Sequence, residues 1–228
     1  MNPRPADAEP DATAVVVAGT APATPEVPRR TQAGRREEAE RRLLDAALEI
    51  VVQRGSVRMT LAEVGEAAGY SRGLPAHRFG NKAGLLHALA GYIGERFGQQ
   101  REQGPALTPG LDAIVGNIRF YFSREGAAWT STRALLVMMT ESGMAPDSAL
   151  RQEVTAYNRS ALVWFEQHIR IGIDRGEINP GTDPASTAVV ILGAMRGVML
   201  QCWVDEQISL PSALDCLLQI VELALQRR

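Results

Sequence analysis

Residues 60–82 read TLAEVGEAAGYSRGLPAHRFGNK, from Thr60 to Lys82, and the fold follows from how this stretch breaks into pieces. Thr60-Leu61-Ala62-Glu63 has the form of a capping box, in which the Thr60 oxygen accepts from an orphan amide and Glu63 reaches back. A helix therefore starts here. It is short, because Ala67-Ala68-Gly69 ends it, and Ser71 stands two residues further on, able to cap a second short helix running to Phe79. Lys82 opens a longer helix whose apolar stripe is Leu85, Leu86, Leu89, Ile93 and Phe97. Upstream, from Glu37, Leu44, Ala47, Leu48, Val51 and Val52 recur at threes and fours until Gly55 stops them. Two short helices joined by a tight glycine-containing turn and packed on a longer one form a helix-turn-helix unit. In that geometry the last short helix offers its polar face, here Ser71, Arg72, His77 and Arg78 around the apolar anchor Phe79, to a DNA major groove.

Outward from this unit the pattern stays helical. Gly104, Pro105, Pro109 and Gly110 break the longer helix and mark a boundary. Beyond it five helices are predicted: Leu111 to Ser123, Ala128 to Ser142, Asp147 to Arg175, Asp183 to Val204, and Pro211 to Gln226. No stretch sustains period-two alternation. The predicted fold class is all-α, an N-terminal helix-turn-helix three-helix unit plus a C-terminal helical bundle, about nine helices in all. Residues 1–28 are rich in Ala, Pro and Thr without helical periodicity, so they cannot bury enough surface to offset ordering entropy. The division predicted is a disordered tail over 1–34, the helix-turn-helix domain over 35–81, a connecting helix over 82–104, and a ligand-binding and pairing domain over 105–228.

The 228 residues, 45% of them hydrophobic, suffice for a sizeable core. Their formal net charge of −2 is unevenly spread: −3 over residues 1–28, +5 over 29–101 and −4 over the remainder. A basic segment in an acidic chain suits a module that approaches phosphate, and Arg29, Arg30, Arg35 and Arg36 open that segment. Arg196 and Asp205 interrupt the most apolar helix, so no membrane span is expected. Asp7, Glu9 and Asp11 ahead of the short stub Ala14 to Ala18 do not form a secretory signal, and a cytoplasmic location is expected. Cys202 and Cys216 have no metal-ligand or disulfide-framework spacing and read as reduced core residues. His77, His87 and His168 are scattered, and neither a phosphate loop nor a nucleophile elbow is present. Catalysis, cofactors and metals are therefore not expected.

Four clusters carry a closer likeness: Ala46-Ala47 with Gly55 behind them, Thr60-Leu61-Ala62-Glu63-Val64, Ala68-Gly69-Tyr70-Ser71-Arg72-Gly73, and His77-Arg78-Phe79-Gly80-Asn81-Lys82. Their order and spacing resemble the DNA-binding domain of the TetR family of repressors over residues 36 to about 97. The resemblance implies that Thr60, at a helix N-terminus, and Lys82 contact phosphates. It implies that Arg72, Gly73 and Leu74 lie where base edges are read, and that His77 touches backbone or base. Arg72 is the strongest candidate for direct readout, since a guanidinium pairs bidentately with guanine. Two departures stand out. Ala76 replaces a tyrosine that in the family touches phosphate, and Pro75 either falls in the first turn of a later-starting helix or distorts that turn.

The C-terminal half matches the family in architecture only. Trp129, Met138, Met139, Trp164, Phe165, His168 and Met195 are large, deformable side chains suited to lining an apolar ligand pocket, with Glu141 and His168 as candidate polar anchors. The Asp183 to Val204 helix is apolar around most of its circumference, and the last helix has a clean stripe. Leu192, Arg196, Met199, Trp203, Leu214, Leu217, Leu218 and Val221 are the expected contacts of a four-helix homodimer interface. The partners implied are a near-palindromic double-stranded DNA operator, a second copy and a small-molecule effector, acting through a two-state shift of the reading helices. The competing reading is a helical carrier of hydrophobic small molecules that no longer binds DNA, kept open by Pro75 and Ala76.

Overall fold

The computed structural model describes residues 31–104, 106–123, 126–144 and 149–226. Within them the chain forms α1 (Gln32–Arg54), α2 (Leu61–Ala67), α3 (Leu74–Phe79), α4 (Lys82–Gln103), α5 (Leu111–Tyr121), α6 (Gly126–Met144), α7 (Ala149–Asp174), α8 (Pro184–Val204) and α9 (Leu210–Leu225). An isolated bridge between Ile178 and Gln226 is the one β-type pairing among these residues. The first 30 residues of the expected tail lie outside the described residues. Its last four do not behave as a tail: Thr31 accepts from the Gly34 N–H at 3.2 Å and caps α1, which starts five residues before Glu37. Glu38, ion-paired with both Arg41 (2.7 Å) and Arg42 (2.8 Å), supports this first stretch at helical spacing.

Two apolar cores organise the helices. The head core joins Leu43, Leu48 and Val51 of α1, Val64 of α2, Leu85, Leu89 and Ile93 of α4, Ala134, Leu135 and Met138 of α6, and Leu150 and Val154 of α7. The body core joins α5, α6, α7, α8 and α9 around Ile114, Ile118, Phe165, Ile169, Met195, Leu217 and Leu218. Helices α6 and α7 belong to both, so the head is not an independent bead on a linker. A polar tie reinforces α1 against α4, where Tyr92 Oη (2.8 Å) and Arg96 Nη1 (2.7 Å) both donate to Asp45 Oδ1. Burial and the Asp45 carboxylate push the Tyr92 hydroxyl up to about 12.

By length and composition α8 does reach what a membrane crossing needs, with a mean hydropathy of 1.6 over its best 18-residue window. That exceeds the expectation from sequence, in which Arg196 and Asp205 interrupt the run. Here one face, Ala188, Ile191, Leu192, Met195, Met199 and Cys202, is buried inside the chain.

Close packing of α2 on α3 depends on Gly65. A Cβ there would stand 2.6 Å from the Ser71 carbonyl oxygen and 3.2 Å from Pro75 Cδ. Gly65→Ala is expected to lower stability by ~1–3 kcal/mol through overpacking. Gly98→Ala, in α4 with open space around the added carbon, is expected to raise stability by roughly 0.5–1 kcal/mol through helix propensity. Urea unfolding of the two variants checks both signs.

Candidate nucleic-acid interface and ligand cavity

The α2–α3 pair is built from local chemistry. Glu63 N–H donates to Thr60 Oγ1 (3.3 Å), while Thr60 N–H (3.0 Å) and Thr60 Oγ1 (2.8 Å) donate to Glu63 Oε2, so the predicted capping box is complete. These bonds hold the Glu63 carboxyl below the usual carboxylate range. They also direct the one hydroxyl proton of Thr60 at Glu63. Gly69, at φ 77, makes the turn.

The reading helix begins later than Ser71. Gly73 is its N-cap, Leu74 its first residue and Pro75 its second, where the missing N–H leaves no hydrogen bond unmade. Of the two readings of Pro75, the first-turn one holds. Ser71 caps nothing; with Arg72 and Gly73 it lies in the turn. Leu74 is half-buried against the head core rather than presented outward. The face open to solvent is Ser71, Arg72, Gly73, Ala76 and His77.

Two predicted contact residues have internal work. Arg78 donates from Nη2 to the Arg36 carbonyl (2.6 Å) and pairs through Nε with Glu40 (3.0 Å), its side chain only 18% exposed. It braces α3 on α1. The separation of 42 residues hides this tie from local patterns. Lys82 Nζ donates to the Val57 carbonyl at 2.6 Å. Arg72 remains 73% exposed and pairs with Glu66, which raises its pKa. The pattern did not single out Asn81, whose Oδ1 accepts from Gly84 N–H (2.9 Å) at the start of α4. Asn directly before a helical run was the available signal.

The second feature is a cavity of about 460 Å³ enclosed by α4, α5, α6, α7 and α8. Of the predicted pocket residues, Trp164, Phe165 and Met195 line it. Met138 is fully buried in the head core, Met139 packs on the same core and Trp129 on the body core. His168 accepts from Gly110 N–H at 3.2 Å and lies tilted against Trp164, with ring centroids 4.1 Å apart, outside the cavity. Glu141 points the other way, accepting from Ser56 N–H (2.8 Å), Ser56 Oγ and Val57 N–H (3.4 Å). Residues that sequence reasoning missed here include Tyr121, Tyr157 and Asn117.

The predicted pairing set is also redistributed. Leu192 and Arg196 line the cavity. Met199, Leu217, Leu218 and Val221 are buried in the chain's own body core, with Trp203 and Leu214 half-buried beside them. The Arg133 guanidinium sits 4.7 Å over the Trp203 ring. The exposed large apolar side chains of α8 and α9 are instead Val189, Val190, Leu200, Val204, Ile220 and Leu223. A helix apolar all round gives no signal of which face its own chain takes.

Comparison with known proteins agrees with this geometry. The family model described as bacterial regulatory proteins, tetR family, matches residues 43–89. The chain is 31% identical over 110 residues to the HTH-type transcriptional regulator BetI of Brucella anthropi, covering 47% of this chain and 56% of BetI. It spans about half the length of the curated relatives it matches. Its fold is that of a putative TetR-family transcriptional regulator from Rhodococcus sp., with a TM-score of 0.72, 23% identity and coverage of 83% of this chain and 100% of that one. It is also that of the SmeT–triclosan complex, at a TM-score of 0.67 and 23% identity over 83% and 92% of the two chains. SmeT is the repressor of the Stenotrophomonas maltophilia multidrug efflux pump SmeDEF. The tetR-family model thus covers the helix-turn-helix from within α1 to within α4, and the fold continuing through α9 is that of these solved structures.

Proposed function

We propose that this protein is a sequence-specific DNA-binding transcriptional regulator, a homodimeric cytoplasmic repressor that a small, largely apolar ligand releases from its operator. The observation that carries this reading is the braced reading unit. Arg78 ties α3 to α1, Gly65 lets α2 pack closely on α3, the Thr60–Glu63 box caps α2 and Lys82 ties α4 to the connection before α2, while Ser71, Arg72 and His77 are left open on one face. Rigid support behind an exposed polar face is what groove recognition requires. Pro75 no longer argues for a carrier, because it sits where a helix tolerates it.

Ligand release follows from one helix having two duties. α4 supplies His87, Ala90, Gly91, Gly94 and Phe97 to the cavity wall, while Lys82, Leu85 and Leu89 of the same helix anchor the head. A ligand that binds better when α4 is displaced shifts the population toward heads spaced wrongly for DNA. Pairing uses the outer faces: Val190, Gly193, Gly197, Leu200 and Val204 form a stripe on α8, beside Ile220 and Leu223 on α9. Burying that stripe against a second copy presents two reading helices to successive grooves.

Fluorescence anisotropy with DNA flanking the protein's own gene tests the reading. Operator affinity is expected to fall about a thousandfold between 50 and 200 mM salt and to exceed that for an unrelated duplex. Arg72→Ala is expected to weaken operator binding by ~10–100-fold and to flatten discrimination. Binding no better than to the unrelated duplex, for the unaltered chain, would favour the carrier. In sedimentation equilibrium, Leu223→Glu is expected to convert a dimer to a monomer, and a persisting dimer would contradict the α8–α9 interface.

A further inference from the structure

The cavity is not uniformly apolar. Arg196 enters it from α8 as the one charged residue of that helix. Its Nη1 donates to the neutral Asn158 Oδ1 at 2.6 Å. Its Nε is buried and finds no hydrogen-bond partner, and no carboxylate among the described residues pairs with it. Close by, the Tyr121 hydroxyl is likewise without a partner, on a side chain only 8% exposed. Burial lowers the pKa of Arg196 and raises that of Tyr121, with the two acting on each other. A guanidinium Nε and a hydroxyl, both buried and both without a hydrogen-bond partner, cost stability in the ligand-free protein. Such groups persist where they serve a ligand.

The rest of the cavity fixes the shape of that ligand. Trp164 and Phe165, edge to face with centroids 5.1 Å apart, offer an aromatic wall. The one carboxylate in the lining, Glu153, is paired with His87 Nδ1 at 2.7 Å and does not figure among the charges acting on Arg196. The volume of about 460 Å³ equals that of roughly fifteen waters, room for a ligand of about 10–15 non-hydrogen atoms.

We propose that the ligand is a small aromatic or branched aliphatic carboxylate, its carboxylate accepting from Arg196 and the Tyr121 hydroxyl and its apolar body lying against Trp164 and Phe165. This rests on the cavity being the effector site of a regulator, but it is tested without DNA, so the two fail separately. The probes are 2-naphthoate and its neutral isostere 2-naphthamide, titrated into the full chain by calorimetry. The acid is expected to bind at least about tenfold more tightly than the amide. Arg196→Met is expected to erase that preference by lowering acid affinity at least about tenfold more than amide affinity. Tyr121→Phe, which keeps the ring and is the variant of choice if Arg196→Met does not fold, is expected to cut acid affinity about tenfold. The acid binding no better than the amide, neither probe binding at millimolar concentration, or a preference that survives both substitutions would overturn the proposal.

Discussion

One carboxylate holds the two halves of this protein in register. Glu141 of α6 accepts hydrogen bonds from the backbone N–H groups of Ser56 and Val57 and from the Ser56 hydroxyl, all in the connection between α1 and α2. The contact spans 85 residues of sequence and joins the body to the first element of the reading unit. It requires Gly55, which turns at φ 84 and where a Cβ would stand 2.2 Å from Glu141 Oε1. Lys82 completes the clamp from α4 by donating to the Val57 carbonyl. Charge-assisted bonds to backbone are among the stronger ones available to a partly buried loop.

This constraint gives meaning to the shared cores. Because α4, α6 and α7 pack in the head core and also wall the cavity, packed side chains rather than a flexible joint lie between the cavity and the head. Helix α6 is tied to the head by Glu141 and Met138, and helix α4 by Lys82, Leu85 and Leu89.

Much of this was legible in the sequence wherever the signal was local. The Thr60–Glu63 box, the start of α8 at Asp183, and the stripes of α1, α4 and α9 are short-range physics, and the helices follow them closely. The exposure of Ser71, Arg72 and His77 followed from the same patterns. What was not legible depended on distant partners. Nothing near Arg78 announces Glu40, nothing near Glu141 announces Ser56, and the aromatic and Met residues of α6 and α7 carry no mark of which core or cavity they face. Helix α8 is the extreme: its apolar circumference hides the division between a buried face and an exposed stripe, and Arg196, which the sequence assigns to pairing, lines the cavity.

The most direct test of the account is hydrogen exchange on Glu141→Ala, read at the Ser56 and Val57 amides alongside operator affinity. If the clamp sets the position of the head, those amides exchange roughly 10–100-fold faster, as loss of a bond to a charged acceptor implies. Operator affinity falls with them, while α8 and α9 exchange unchanged. Unchanged exchange at Ser56 and Val57 with full operator affinity would mean that the head is positioned by apolar packing alone, and the central claim would fail.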